Sequence, residues 1–96
     1  MNNVLILDCT LRDGSYAINH QFTAEDTYIV CVGLERANFK FIEIGHGTGL
    51  RSSLAGKEKA AASDEEYLQA ARTALSGSDA QFGMFFIPGI GKLEDL

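Results

Sequence analysis

Positive charge is sparse in this chain. Its eight lysines and arginines are scattered along the sequence and outnumbered by thirteen acidic residues, which gives a formal net charge of -5. A surface that binds a nucleic-acid duplex needs clustered basic side chains to neutralise phosphates. We therefore expect no nucleic-acid partner.

Long hydrophobic runs are also missing. No uninterrupted apolar segment approaches the roughly 20 residues that a helix needs to cross a bilayer. Met1, Asn2 and Asn3 lead directly into a short apolar stretch, without the basic region that begins a targeting segment. The sequence thus predicts a cytoplasmic protein with no membrane partner.

Cysteine is scarce. The two cysteines, Cys9 and Cys31, do not form a Cys-x-x-Cys pair, and both fall within elements that we predict to be buried. This favours two reduced thiols in the core over a disulfide or a zinc site.

The first half of the chain predicts a strand, a loop and a helix. Val4–Leu7 is a short apolar run typical of a buried parallel strand, and a polar loop with glycine follows over residues 10–22. Thr23 and the aspartate three residues later form an approximate capping box, which predicts a helix to about Asn38. The run Tyr28–Leu34 could instead be a strand, but the cap and the length favour a helix.

The second half continues this alternation. Its predicted elements are a strand over Lys40–Ile44, a helix over Asp64–Leu75, a strand over Gln81–Ile87 and the start of a third helix over Lys92–Leu96. Ser63 and Glu66 make a proper capping box, and the only proline, Pro88, ends the last strand. Residues 45–62 form a long glycine-containing loop, and loops of this length are usually functional or become ordered on binding.

This order of elements predicts an α/β fold, a βαβαβ segment with parallel strands and right-handed crossovers. No internal repeat or low-complexity linker interrupts it. The topology alone does not distinguish a piece of a closed barrel from a small doubly wound sheet.

Arg12 and Asp13 are adjacent in sequence and follow the first predicted strand. In α/β proteins, catalytic and binding residues lie at the carboxyl ends of the strands. A carboxylate oxygen suits a hard divalent cation, and a guanidinium suits an anionic oxygen such as that of an enolate. The alternative is an ordinary ion pair in a surface loop. The two residue types by themselves leave both interpretations open.

Four blocks in the chain resemble the signature of the metal-dependent aldolases and lyases related to hydroxymethylglutaryl-CoA lyase and isopropylmalate synthase. Within that superfamily the likeness is to the 4-hydroxy-2-oxovalerate aldolases. The blocks are DCTLRDGS at 8–15, AINHQFT at 17–23, IEIGHGTGL at 42–50 and PGIG at 88–91.

The resemblance implies a (β/α)8 TIM barrel, of which these residues would be the first part. A closed barrel of this kind needs about 250 residues, whereas this chain has 96. We therefore expect either part of a longer chain or an oligomer, because a unit of this size buries only a modest core.

By the same resemblance, Arg12 would stabilise the enolate oxygen formed when a 4-hydroxy-2-oxo acid is cleaved to pyruvate and an aldehyde. Asp13 would bind a divalent metal, Mn²⁺ or Mg²⁺. The family's two metal histidines lie on a later strand, beyond Leu96, so residues 1–96 would bind metal weakly and turn over nothing alone.

The sequence leaves the identity of the catalytic base open. At Tyr16 the sequence departs from the relatives, which carry a histidine there, and a free phenol is a poor base at neutral pH although it can relay a proton. A neighbouring cation such as Arg12 could make it more acidic. His20 is a second catalytic candidate, and its alternative is a histidine that packs the loop.

Two further residues are candidates for substrate binding. Glu43, at the end of the second strand, could orient Arg12 or serve a purely structural pairing. His46 could contact the substrate from the glycine-rich loop. A phosphate-binding interpretation of Gly45–Gly49 is weak, because no Gly-Lys-Ser/Thr follows.

The resemblance implies a small 2-oxo acid as substrate and an acylating aldehyde dehydrogenase as a possible partner. Two alternatives remain. One is a synthase of the same superfamily that condenses an acyl-CoA with a 2-oxo acid, and the other is an inactive barrel segment that acts by association.

Overall fold

A computed structural model describes residues 4–95 of the chain. The elements, in chain order, are β1 (Leu7–Asp8), α1 (Ala24–Arg36), β2 (Phe41–Ile44), α2 (Asp64–Ala74) and β3 (Gln81–Met84). Two short 3-10 helices, Gly14–Ile18 and Leu93–Asp95, lie in the connecting and terminal segments.

The three strands form one parallel sheet in the order β1-β2-β3. Leu7 is in register with Phe41, which in turn is in register with Gln81. The α/β prediction is confirmed, and the arrangement is consistent with a partial TIM-barrel segment.

Both predicted capping boxes form. The Thr23 hydroxyl accepts the backbone N–H of Asp26 at 3.0 Å, and the Asp26 carboxylate accepts the N–H of Thr23 at 2.9 Å. Ser63 and Glu66 make the equivalent pair at 3.1 and 2.9 Å. These caps satisfy N–H groups that the first helical turn leaves unpaired. Because α1 covers Ala24–Arg36, the helical interpretation of Tyr28–Leu34 is correct.

All three strands differ from their predicted bounds, although β2 differs only in starting at Phe41 rather than Lys40. Strand β1 covers only Leu7–Asp8, not Val4–Leu7, and the four apolar residues from Val4 to Leu7 are 53 to 76% exposed rather than buried. The reason is that β1 is an edge strand, paired with β2 alone. At the other edge, β3 ends at Met84, three residues before the predicted Ile87.

The helix boundaries differ less. Helix α1 ends at Arg36 and α2 at Ala74, two residues and one residue before the predicted ends. The segment predicted to begin a third helix contains a 3-10 turn over Leu93–Asp95. Leu96, the last residue of that prediction, lies outside the described residues.

The core lies between the sheet and the two helices, which pack on the same face of it. Ile42 and Ile44 of β2 are buried there together with Cys31 of α1 and Tyr67 and Ala71 of α2. Because side chains alternate along a strand, Phe41 and Glu43 of β2 point to the opposite face of the sheet. That second face carries the polar residues discussed below.

Both cysteines are free thiols, as predicted, but only Cys31 is buried. Burial raises the pKa of the Cys31 thiol to about 11, and the charge of Asp8 adds to this. Cys9 is half-buried, because it lies just beyond the edge strand β1 rather than within the core.

Among the described residues, no helix has both the length and the apolar character required to span a membrane.

Candidate functional site

The candidate site lies where the parallel strands end. Arg12 follows β1, Glu43 is the third residue of β2, and Phe85 comes directly after β3. Since the carboxyl ends of parallel strands meet at one edge of a sheet, residues far apart in sequence converge there. The site therefore contains one contribution from each strand.

Arg12 and Glu43 form the central ion pair of the site. Arg12 Nε donates to Glu43 Oε1 at 2.7 Å, and the two side chains are only 18% and 14% exposed. Burial by itself would lower the pKa of Arg12, but the hydrogen bond and charge of Glu43 outweigh it and raise the pKa above its ordinary value. The guanidinium is thus a permanent cation with a fixed orientation.

Two further contacts hold the guanidinium. Arg12 Nη1 donates to the carbonyl oxygen of Gly47 at 3.3 Å, and Arg12 Cζ lies 4.6 Å from the centroid of the Phe85 ring. The hydrogen bonds to Glu43 and Gly47 use one N–H of Nε and one of Nη1. A guanidinium carries further N–H donors beyond these two. Donors therefore remain for an anionic ligand.

Asp13 lies beside this pair but is held loosely. Its Oδ1 is 3.7 Å from Arg12 Nη1, beyond hydrogen-bond distance, and its side chain is 71% exposed. Such a carboxylate is accessible to a cation. Within residues 4–95, however, no group of three histidine, cysteine, aspartate or glutamate side chains could hold a metal ion.

The two histidines pack against each other beneath the glycine-rich loop. The rings of His20 and His46 stack with centroids 3.9 Å apart and an interplanar angle of 18°, and the residues are 7% and 2% exposed. Burial lowers the pKa of His20, His46 lowers it further, and Glu58 opposes this in part. His20 is thus favoured in its neutral form.

The hydrogen bonds of His46 fix it in the loop. Its Nδ1 accepts the backbone N–H of Thr48 at 3.1 Å, and its Nε2 contacts the carbonyl oxygen of Glu58, which assigns the proton to Nε2. His46 therefore joins the start of the 45–62 loop to its far end. Both ring nitrogens are occupied, so neither is open to a metal ion.

His20 connects that loop to the segment after β1. Its Nδ1 lies 2.8 Å from the Ser15 hydroxyl and 3.3 Å from the backbone nitrogen of Gly47. The Ser15 hydroxyl also donates to the carbonyl oxygen of Arg12 at 2.7 Å. His20 thus supports the backbone at both Arg12 and Gly47.

Tyr16 packs against His20 at the surface. Its ring meets His20 edge to face, with centroids 4.9 Å apart, and the residue is 51% exposed. A side chain at position 47 would lie 2.7 Å from the Tyr16 ring and 2.6 Å from His20, so only glycine fits there. The hydroxyl of Tyr16 makes no hydrogen bond to the part of the chain described here.

No protein-family model matches the chain. Over 94 aligned residues, the chain is 44% identical to "4-hydroxy-2-oxovalerate aldolase" of Moorella thermoacetica (strain ATCC 39073 / JCM 9320). The aligned region covers 98% of this chain and 27% of that protein. The segment is homologous to the 4-hydroxy-2-oxovalerate aldolases.

The chain is also similar to two other relatives. The chain is 43% identical over 93 residues to the aldolase of the same name from Carboxydothermus hydrogenoformans, covering 97% of this chain and 27% of that protein. It is also 39% identical over 90 residues to "Oxaloacetate decarboxylase" of Mycobacterium tuberculosis, covering 94% of this chain and 26% of that protein. The chain thus spans about a quarter of the length of the curated relatives it matches.

The aldolase resemblance singled out six residues, and the structure gathers them into two adjoining groups. Arg12, Asp13 and Glu43 meet at the strand ends. The stacked His20 and His46, with Tyr16 at their edge, lie under the loop.

Three groups near Arg12 were not predicted from the sequence. They are the ring of Phe85, the carbonyl of Gly47 and the thiol of Cys9. Burial and the nearby Glu43 raise the pKa of the Cys9 thiol, while Arg12 opposes this. Phe85 could have been found because it directly follows the third parallel strand, the position equivalent to the ends of β1 and β2.

Proposed function

We propose that this segment belongs to a carbon-carbon lyase that cleaves a 4-hydroxy-2-oxo acid, such as 4-hydroxy-2-oxovalerate, to pyruvate and an aldehyde. The observation that carries the proposal is the Arg12 guanidinium, fixed by Glu43 at 2.7 Å beside the exposed carboxylate of Asp13. The aldolase relatives support it. Activity requires residues beyond these 96, since the chain spans about a quarter of those proteins.

Arg12 would act on the oxygen that becomes negative. Breaking the bond between C3 and C4 of the substrate leaves an enolate on the pyruvate half, and preorganised donors aimed at that oxygen lower the barrier. Arg12 keeps its charge at every accessible pH and retains N–H donors beyond those given to Glu43 and Gly47. Glu43 would serve as the positioning residue that holds the donors in place.

Asp13 would be one ligand of a divalent metal, Mn²⁺ or Mg²⁺. Its exposed carboxylate has the hard oxygen donors that such ions prefer. When bound, the ion would polarise the substrate ketone. The remaining ligands would come from outside residues 1–96, because a single carboxylate does not make a tight site.

Tyr16 is the better placed of the two candidates for proton transfer from the 4-hydroxyl. Its side chain is half-exposed, whereas His20 is buried and its Nδ1 is engaged by Ser15 and Gly47. Tyr16 would relay a proton rather than act as a strong base, since phenols are weak bases at neutral pH. His20 would support Tyr16 through their edge-to-face contact. His46 would act on the substrate only through the loop that it holds.

The remaining expectations complete the proposal. The whole protein would be cytoplasmic and act on a small 2-oxo acid, with an acylating aldehyde dehydrogenase as partner for the released aldehyde. The exposed apolar residues of the β1 edge fit an association within a longer chain or an oligomer.

A second candidate reaction is the decarboxylation of oxaloacetate to pyruvate. One relative carries that name, and the same enolate arises when the carboxylate at C4 leaves as carbon dioxide. Oxaloacetate has no 4-hydroxyl proton, so this reaction needs no base at the position of Tyr16. The tyrosine, where the resemblance expects histidine, is the observation that favours it.

The decisive experiment measures pyruvate release by the whole protein with Mn²⁺ from each of the two substrates. We expect release from at least one, and Arg12→Lys to reduce it by roughly 100-fold, because a lysine cannot reproduce the forked donors. Arg72→Lys on the exposed face of α2 is the matched control and should behave as the parent. Absence of turnover with both substrates would reject lyase activity and leave the acyl-CoA synthase, tested with pyruvate and an acyl-CoA, or an inactive segment.

Metal binding has a test of its own. Calorimetric titration of Mn²⁺ into residues 1–96 should show no tight binding, while the whole protein should bind through Asp13 and lose affinity in Asp13→Asn. Tight binding by residues 1–96 would show that the count of ligands in this segment is wrong.

A further inference from the structure

We propose that Phe85 is a positioning residue that holds the Arg12 guanidinium in the orientation needed to receive an anionic oxygen. The catalytic role of Phe85 rests on the proposed function. The contact between the Phe85 ring and Arg12 does not depend on that function.

The guanidinium is restrained from three directions. Glu43 accepts from Nε at 2.7 Å and the carbonyl of Gly47 accepts from Nη1 at 3.3 Å, so both contacts lie near the plane of the group. Arg12 Cζ lies over the Phe85 ring, 4.6 Å from its centroid. Edge contacts alone would let the plane tilt, and the ring prevents that tilt.

An aromatic ring suits this task better than an aliphatic side chain of similar size. The negative face of the ring attracts a cation within about 6 Å of its centroid, and a leucine has no such field. Phe85 is 37% exposed, so the ring is not simply part of the core.

The backbone fixes the ring relative to the loop that also binds Arg12. The carbonyl oxygen of Phe85 accepts the N–H of Leu50 at 2.7 Å. A side chain at Gly49 would lie 2.4 Å from that same oxygen, so the loop approaches as closely as glycine permits. Phe85 and the carbonyl of Gly47, which both contact the guanidinium, are therefore fixed relative to each other.

The contact can be measured without any activity. In the whole protein labelled with ¹⁵N-arginine, the side-chain N–H signals of Arg12 should be shifted upfield by the Phe85 ring current and should exchange slowly with solvent. An Arg12→Lys sample identifies those signals by their loss. Phe85→Leu should abolish the upfield shift and speed the exchange, and Phe85→Tyr should preserve both.

Phe86→Leu is the matched control, because Phe86 is the next residue along and packs against Gly91 instead. If Phe85→Leu leaves the Arg12 signals as in the parent, or if Phe86→Leu changes them equally, the proposal is wrong. Parent-like signals of the other arginines in Phe85→Leu exclude a general loss of folding as the cause.

Kinetics then test the catalytic part. With the substrate that the parent turns over, Phe85→Leu should lower kcat/KM by roughly 3- to 30-fold, mostly through kcat, and Phe85→Tyr should restore most of it. A parent with no turnover but with the expected Arg12 signals would reject the proposed function and retain the positioning contact. Unchanged kcat/KM in Phe85→Leu would reject a catalytic role for the ring.

Discussion

Replacing Glu43 by glutamine removes one charge from the Arg12 pair while keeping the shape of the side chain. Two unit charges about 4 Å apart near a protein surface attract by about 4 kcal/mol before the cost of desolvation. Both side chains are less than one-fifth exposed, so part of that energy is offset when the charges leave water. Glutamine keeps a neutral hydrogen bond of about 1 kcal/mol. We therefore expect Glu43→Gln to lower the free energy of unfolding by about 2 kcal/mol.

Urea unfolding followed by circular dichroism measures this loss, and Glu94→Gln, an exposed glutamate, is the matched control. Cys9 provides a second, local readout. Glu43 raises the pKa of the Cys9 thiol, so Glu43→Gln should lower that pKa and speed alkylation of Cys9 at constant pH. Equal unfolding energies in the two variants, with unchanged alkylation of Cys9, would refute the reasoning that Glu43 and Arg12 form a strong buried pair.

Three other predictions follow from single groups. Folding lowers the pKa of His20, so this residue contributes stability above pH 6.5 that is lost as the pH falls through its folded pKa. The difference in unfolding energy between the parent and His20→Gln should therefore shrink from pH 7.5 to pH 5, and a constant difference would contradict this. Cys31, buried and with a pKa of about 11, should react with a disulfide reagent only on unfolding, whereas half-buried Cys9 should react in the native state. Equal rates would be inconsistent with the burial. Gly49→Ala should cost about 2 to 4 kcal/mol in urea unfolding, because φ is +94° and the new methyl would lie 2.4 Å from a backbone oxygen. Gly56→Ala, with φ of +86° and open space, should cost less, and equal costs would show that the close approach is not rigid.

Local signals in the sequence were sufficient for the helices. The two capping boxes specify the first turns by hydrogen bonds between residues three apart, so neighbouring residues alone determine where α1 and α2 begin. The edge strand could not be placed in this way. Whether Val4–Leu7 is paired and covered depends on the position of other strands, which no local pattern contains.

The site was predicted unevenly for a related reason. Arg12 and Asp13 are adjacent in sequence and were found as a motif, and Glu43 was identified by its position at the end of a strand. The contact of Phe85 with Arg12 joins residues 73 positions apart, and the stacking of His20 on His46 depends on how a long loop folds back. Such contacts are set by tertiary packing and need coordinates.

The glycine-rich loop also limits how this site can be altered. Position 47 is closed to side chains by two rings and position 49 by a backbone oxygen, while the hydroxyl of Thr48 between them donates to Ser52. Substitutions at this rim should therefore be tolerated least at positions 47 and 49. A library intended to change substrate preference should keep both glycines and vary side chains outside the loop.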